Sequence, residues 1–158
     1  PVAIVDIGGR TTDYVVVKDQ GILHAASGSL QCGMLNVKHS VANGIQSRFD
    51  LENLSEQRVS QAIENKVVRL QGKNHDIGEL VEAGKREVVE RIHAETRRQL
   101  GLGVELDRVL FIGGGTVALA KHIANWFPHQ TIAEHPAFAN ARGMLKYLRY
   151  VCEASDAA

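Results

Sequence analysis

Apolar positions along the chain recur at two spacings, and the places where one spacing gives way to the other outline a layered fold. Val2–Asp6 and Asp13–Lys18 are dense in β-branched residues and read as strands. Lys18-Asp19-Gln20-Gly21 is a turn signal, and a third strand over Gly21–Ser27 would complete an antiparallel meander. The spacing then changes: Val37, Val41, Ile45 and Phe49 recur every four residues, which predicts a helix with one apolar face. From Asp50 the chain turns polar. Leu54-Ser55-Glu56-Gln57 is a helix start, and that helix should run to about Asn65. Val67–Gln71 is a short strand, Gly72–Asp76 its turn, and Ile77 opens a short partner. A long helix over Glu79–Leu100 carries Val81, Val88, Val89 and Ile92 on one face, and Gly101 and Gly103 end it. Arg108–Ile112 is a strand, Val117–Trp126 a helix that stops before Pro128, and Gln130–Ala133 an edge strand. The last helix, Ala137–Cys152, has Phe138, Ala141, Leu145, Leu148 and Cys152 at steps of three and four, with residues 153–158 frayed.

This order predicts an α/β fold with a mixed sheet and flanking helices rather than an alternating parallel one. Residues 1–50 and 104–158 would form the core. Residues 51–103 would form a smaller inserted lobe of helix and hairpin, together with the long helix. The 158 residues suffice for one domain with a proper interior, or two small lobes sharing one. Eighteen basic and eighteen acidic residues cancel, which argues against direct binding to nucleic acid. No apolar run is long enough to span a membrane. Cys32 and Cys152 lie far apart and form no metal or redox motif, as expected of reduced thiols in a cytoplasmic protein. Pro1 opens directly on a strand, which suggests a piece of a longer chain.

Two glycine-rich turns, each directly after a strand, carry the candidate chemistry. In Asp6-Ile7-Gly8-Gly9-Arg10-Thr11-Thr12 the glycines let backbone approach a ligand, and Thr11 and Thr12 offer hydroxyls to a phosphate. Asp6 would hold magnesium through water, since that ion sheds its hydration reluctantly. Gly113-Gly114-Gly115-Thr116 would let a base or ribose lie against bare backbone, with the positive end of the following helix close by. Either turn alone is more simply a tight connection. Neither fits the P-loop or the dinucleotide fingerprint. Both together, about a hundred residues apart, point to a nucleotide.

These residues resemble a known superfamily. Asp6–Asp13 is similar to the second phosphate motif of actin, Hsp70 and the sugar kinases, and Phe111–Thr116 resembles their adenosine motif. Pro136–Met144 is similar to the carboxy-terminal segment of actin-like proteins of the plasmid-segregation ParM/StbA type. The resemblance covers essentially the whole chain and implies a ribonuclease H-like second domain. It implies ATP or GTP with magnesium in a cleft between two domains, with Asp6 as the catalytic and metal-side carboxylate. The loop Gly8, Gly9, Arg10, Thr11 and Thr12 would meet the phosphates, and Gly113, Gly114, Gly115 and Thr116 the nucleoside. Glu82 and Lys85 are the nearest counterparts of residues that reach ribose and base. Arg10 stands where many members have glycine. The first phosphate loop and the water-positioning residue precede the second motif in the family, so this chain alone should hydrolyse nucleotide negligibly. The implied partners are the chain's own amino-terminal domain, further copies in a filament, and an adaptor that contacts DNA. The alternatives are a sugar- or acetate-type kinase domain and a chaperone-type ATPase that forms no filament.

Overall fold

The structure, a computed structural model, describes residues 1–156. Strands β1 (Val2–Ile7) and β2 (Thr12–Lys18) pair antiparallel with Asp6 opposite Asp13. The third strand of the expected meander is broken. Only Gly21–Ile22 (β3) and Gly28–Leu30 (β4) pair with β2, and a 3-10 turn at His24–Ala26 separates them. Ser27 explains the interruption. Its hydroxyl accepts from the Val16 N–H at 3.2 Å and donates to the Leu23 carbonyl at 2.9 Å, which satisfies β2 where the strand leaves it.

Helix α1 (Met34–Phe49) buries Val37, Val41 and Ile45 as the spacing predicted. Helix α2 (Glu56–Asn65) starts at Ser55, whose hydroxyl accepts from Arg58 N–H. The hairpin that follows differs from expectation. Its strands are β5 (Val67–Leu70) and β6 (Lys73–Asp76), joined by Gln71 and Gly72 with φ of 48° and 79°. Positive φ at both turn positions gives a two-residue type I′ turn, so residues 73–76 are strand rather than loop.

Helix α3 (Gly78–Leu100) runs from this hairpin back onto the sheet. Its residues Ile92 and Thr96 are fully buried against β2, where the Tyr14 hydroxyl donates to the Ile92 carbonyl at 3.3 Å. Strand β7 (Arg108–Ile112) pairs parallel with β1, and β8 (Gln130–Ile132) pairs parallel with β7 at the sheet edge. The order β3-β2-β1-β7-β8, with β4 also on β2, is a mixed sheet. Ala3, Val5, Ile7, Tyr14, Val16, Val109 and Phe111 face α1 and α3 from it, and each such aliphatic side chain contributes about 1.5–3 kcal/mol on burial.

Helix α4 is shorter and earlier than expected, Gly114–Leu119 rather than 117–126. The chain beyond it turns through Asn125 at φ 64°, and the Gln130 amide replaces the lost helical bonds. That side chain accepts from Phe127 N–H at 2.9 Å and donates to the Ile123 carbonyl at 3.0 Å. Helix α5 (Ala139–Asp156) follows a 3-10 turn at Pro136–Phe138 and is helical through part of the tail expected to fray; Ala157 and Ala158 lie outside the described residues. It crosses the second sheet face loosely. Ile4 and Leu110 stand opposite Met144 and Tyr147, which are 68% and 69% exposed. No described helix is long and apolar enough to cross a membrane.

Candidate functional site

Parallel pairing of β1 and β7 places Asp6 beside Ile112, so the two glycine turns leave the sheet side by side at the carboxyl ends of neighbouring strands. In layered α/β folds this is where ligands collect. The first turn is a tight connection in which Gly8 N–H donates to the Thr11 carbonyl at 2.9 Å. The Gly8 and Gly9 carbonyls point the other way. They accept from Met34 and Leu35 N–H, at 3.1 and 2.8 Å, and so fasten the start of α1 beneath the loop. Gly33 makes that approach possible, since a Cβ there would sit 2.6 Å from the Gly8 carbonyl oxygen.

With the carbonyls occupied beneath, the loop presents donors outward. The N–H groups of Gly9, Arg10 and Thr11 make no hydrogen bond among the described residues, and neither does the exposed Arg10 guanidinium. Consecutive backbone N–H groups in a turn make an anion-binding concavity. The two threonines divide. Thr11 is half-buried and donates to Asp13 Oδ2 at 2.9 Å, whereas Thr12 is fully buried and donates to the Cys32 carbonyl at 2.9 Å. The expectation that the Thr12 hydroxyl faces phosphate is therefore corrected. It pins β2 to the segment leading into α1.

The second turn also divides. Gly113, at φ 90°, lies so close to Asp6 Oδ1 and the Ile7 carbonyl that no Cβ could fit. Gly115 is packed as tightly, with a Cβ site 2.5 Å from Ile7 Cγ2. Gly114 between them has nothing within 4 Å of its Cβ site and is exposed. So two of the three glycines let β1 and α4 meet, and one offers bare backbone to a ligand. Thr116 is fully buried with its hydroxyl on the Ile112 carbonyl, so it too is removed from direct contact. Helix α4 has only six residues, and its dipole adds little to the site.

Asp6 is half-buried. Its Oδ2 accepts from Asn140 Nδ2 at 2.7 Å, and no cationic side chain pairs with it among the described residues. No group of three or more His, Cys, Asp or Glu that could cage a metal occurs among those residues. One uncompensated carboxylate beside open donors suits magnesium, which takes one or two carboxylates and otherwise water and phosphate oxygens.

Glu82, on α3, is held from two sides. Lys66 Nζ donates to its Oε1 at 2.9 Å, and His122 Nε2 lies 3.2 Å from its Oε2. The Lys66 bond first, then the charges of Lys85 and His122, holds its carboxyl below the usual range. Lys85 is half-buried and has no ion pair of its own among the described residues. His122 was not singled out in the sequence, because no ligand spacing marks it. It links the segment after α4 to α3, and its Nδ1 is buried without a hydrogen-bond partner.

Comparison with known proteins identifies the family and the fold. The sequence profile described as archaeal actin homologue MreB-like, C-terminal, matches residues 4–125. The chain belongs to that family. Its fold is that of a ParM from pCBH, a non-polymerisable quadruple mutant, at 21% identity and a TM-score of 0.85 over 94% of this chain and 46% of that one. A ParM solved as a 15-stranded filament from Clostridium botulinum matches at 21% identity and a TM-score of 0.82, over 92% and 44% of the two chains. The archaeal actin homologue Ta0583 matches at 20% identity and a TM-score of 0.83, over 94% and 48%, and that protein is also known in complex with ADP. The fold is thus the expected ribonuclease H-like, actin-type one, and the chain spans a little under half the length of these structures. No curated protein sequence matches it.

Proposed function

We propose that this domain is one jaw of a nucleoside-triphosphate clamp in an actin-like ATPase. In this reading the N–H groups of Gly9, Arg10 and Thr11, with the Arg10 side chain, take the β- and γ-phosphates. Asp6 faces the hydrated magnesium, and the nucleoside lies over Gly114 with Glu82 and Lys85 toward ribose and base. ATP or GTP with magnesium is the cofactor. Residues 1–50 and 104–156, with the part of α3 that packs on the sheet through Ile92 and Thr96, form the core of the jaw, and the rest of residues 51–103 the arm that reaches over the nucleoside. The carrying observation is the meeting of Asp6 with both glycine turns at the ends of β1 and β7. Bound magnesium supplies charge neutralisation for the transferring phosphoryl group. The chain's own residues orient the phosphates from one side only.

The opposing jaw would be an amino-terminal domain of the same polypeptide, facing the strand-end turns from the other side of the nucleotide. The full-length protein would then hydrolyse nucleotide and assemble into cytoplasmic filaments of the ParM/StbA kind. It would move plasmid DNA through an adaptor and make no direct contact with nucleic acid or membrane. The family match and the filament-forming neighbour support this over a kinase or a chaperone. The test is ATP hydrolysis and sedimentation of the full-length protein with magnesium. Wild type should turn over and pellet with ATP, and Asp6→Ala should lose hydrolysis while staying folded. Normal turnover in Asp6→Ala would refute the site. A wild-type protein that hydrolyses ATP but never pellets would refute the filament.

A further inference from the structure

The bond between Asn140 and Asp6 links residues 134 positions apart, from the first turn of α5 to the end of β1. Asparagine is a mediocre helix former, and the usual uses of a polar side chain in a first turn are to cap the helix or to face solvent. Asn140 caps nothing, and, although it is exposed, its Nδ2 is committed to the carboxylate at 2.7 Å. The backbone that carries it is fastened to the site on several sides. Ala133 N–H donates to the Phe111 carbonyl at 3.0 Å, and Gly113 N–H to the Pro136 carbonyl at 2.9 Å. Phe138 N–H closes the 3-10 turn on the His135 carbonyl at 2.9 Å, and the Arg142 guanidinium holds the Glu134 carbonyl. The asparagine is therefore presented from a fixed platform, although the rest of α5 lies loosely on the sheet.

We propose that Asn140 is the positioning residue for Asp6, fixing the rotation of its carboxylate so that the remaining lone pairs face the cation. This rests on the reading of Asp6 as the magnesium-side carboxylate. Two constraints define the rotation: Gly113 leaves room for Oδ1, and Asn140 holds Oδ2. The chemistry of the donor fits the task. A lysine or arginine at this position would orient the carboxylate but also neutralise it, and would compete with a divalent ion. A neutral amide orients it and leaves the full negative charge available. Ligating carboxylates are commonly held in this way, and loss of such a support typically costs 10–100-fold in metal affinity.

The experiment measures ADP affinity by calorimetry with and without magnesium in the full-length protein, for wild type, Asn140→Ala and Asp6→Ala. The readout is the ratio by which magnesium tightens ADP. Asn140 is exposed, so Asn140→Ala should keep the wild-type melting temperature and the metal-free ADP affinity. Its magnesium ratio should fall about tenfold. An unchanged ratio in Asn140→Ala alongside a lost ratio in Asp6→Ala overturns the role of Asn140 and leaves the site standing. A fall in metal-free affinity or melting temperature that accounts for the whole effect makes Asn140 structural and overturns the proposal as well. An unchanged ratio in both variants removes Asp6 from the cation site, and the underlying reading fails with it.

Discussion

Gly113 and Gly114 are neighbours in one glycine run, yet the structure assigns them opposite tolerances. In Gly113→Ala the new Cβ falls under 3.0 Å from Asp6 Oδ1 and from the Ile7 carbonyl, and the backbone at φ 90° is one that side chains rarely adopt. The backbone strain costs about 1–3 kcal/mol, and forcing an extra methyl against β1 about as much again. A total of about 3–4 kcal/mol would lower the melting temperature of a domain this size by roughly 6–15 °C. Gly114→Ala meets nothing within 4 Å and lies in the first turn of α4. Restricting the unfolded chain there should be neutral or stabilising by up to about 1 kcal/mol. Thermal unfolding of the 158-residue chain, followed by circular dichroism, reads both. A Gly113→Ala melting temperature within about 2 °C of wild type would correspond to less than about 1 kcal/mol. That result would refute the tight approach of β1 and the second turn, as would an equal loss in Gly114→Ala.

Other consequences are as direct. Gly33→Ala would put a methyl 2.6 Å from the Gly8 carbonyl and displace the first turn from α1. It should destabilise the chain by about 1–3 kcal/mol, and amide exchange of Met34 and Leu35 should accelerate with it. Burial pushes the Tyr14 hydroxyl up to about 12, against an ordinary 10.0. Absorbance titration should therefore show two of the three tyrosines, the exposed Tyr147 and Tyr150, ionising before the third. Because the folded value is raised, the stability it confers is intact below pH 10 and falls between pH 10 and 12, by about 3 kcal/mol. Tyr14→Phe should remove that alkaline loss and, through the lost hydroxyl bonds, lower stability at neutral pH by about 1 kcal/mol. Full retention of the alkaline loss in Tyr14→Phe would show that another group causes it.

Helices α1 and α3 and strands β1, β2 and β7 are legible in the sequence because their apolar spacing is long and uninterrupted. One misread element, β6, turns on the positive φ of Gln71 and Gly72; two others are those where one side chain supplies what a regular ladder otherwise would. Ser27 takes over β2's bonds and breaks the third strand, and the Gln130 amide ends the need for helix beyond Leu119. Neither residue announces that role by its neighbours. At the site, Asp6 and both glycine turns could be picked out because two such turns, each directly after a strand and about a hundred residues apart, seldom coincide by chance. Which glycine serves packing and which faces open space depends on the parallel approach of β1 and β7, a contact between residues about a hundred positions apart. The same limit hid the buried threonines: Thr12 reads as a loop hydroxyl until β2's inward face is known. Asn140 lay within a recognisable segment, but nothing in its spacing connects it to Asp6.

The first turn and Gly114 are the surfaces proposed to meet nucleotide, and amide chemical shifts of the labelled 158-residue chain titrated with MgATP test this directly. One jaw alone should bind weakly, with a dissociation constant of millimolar order. The largest shifts should fall at Gly9, Arg10, Thr11 and Gly114, with the Asn140 side-chain amide following as the cation approaches Asp6. Shifts confined to other surfaces, such as the apolar groove at Leu23, Leu102 and Val104, with the two turns unmoved, would contradict it.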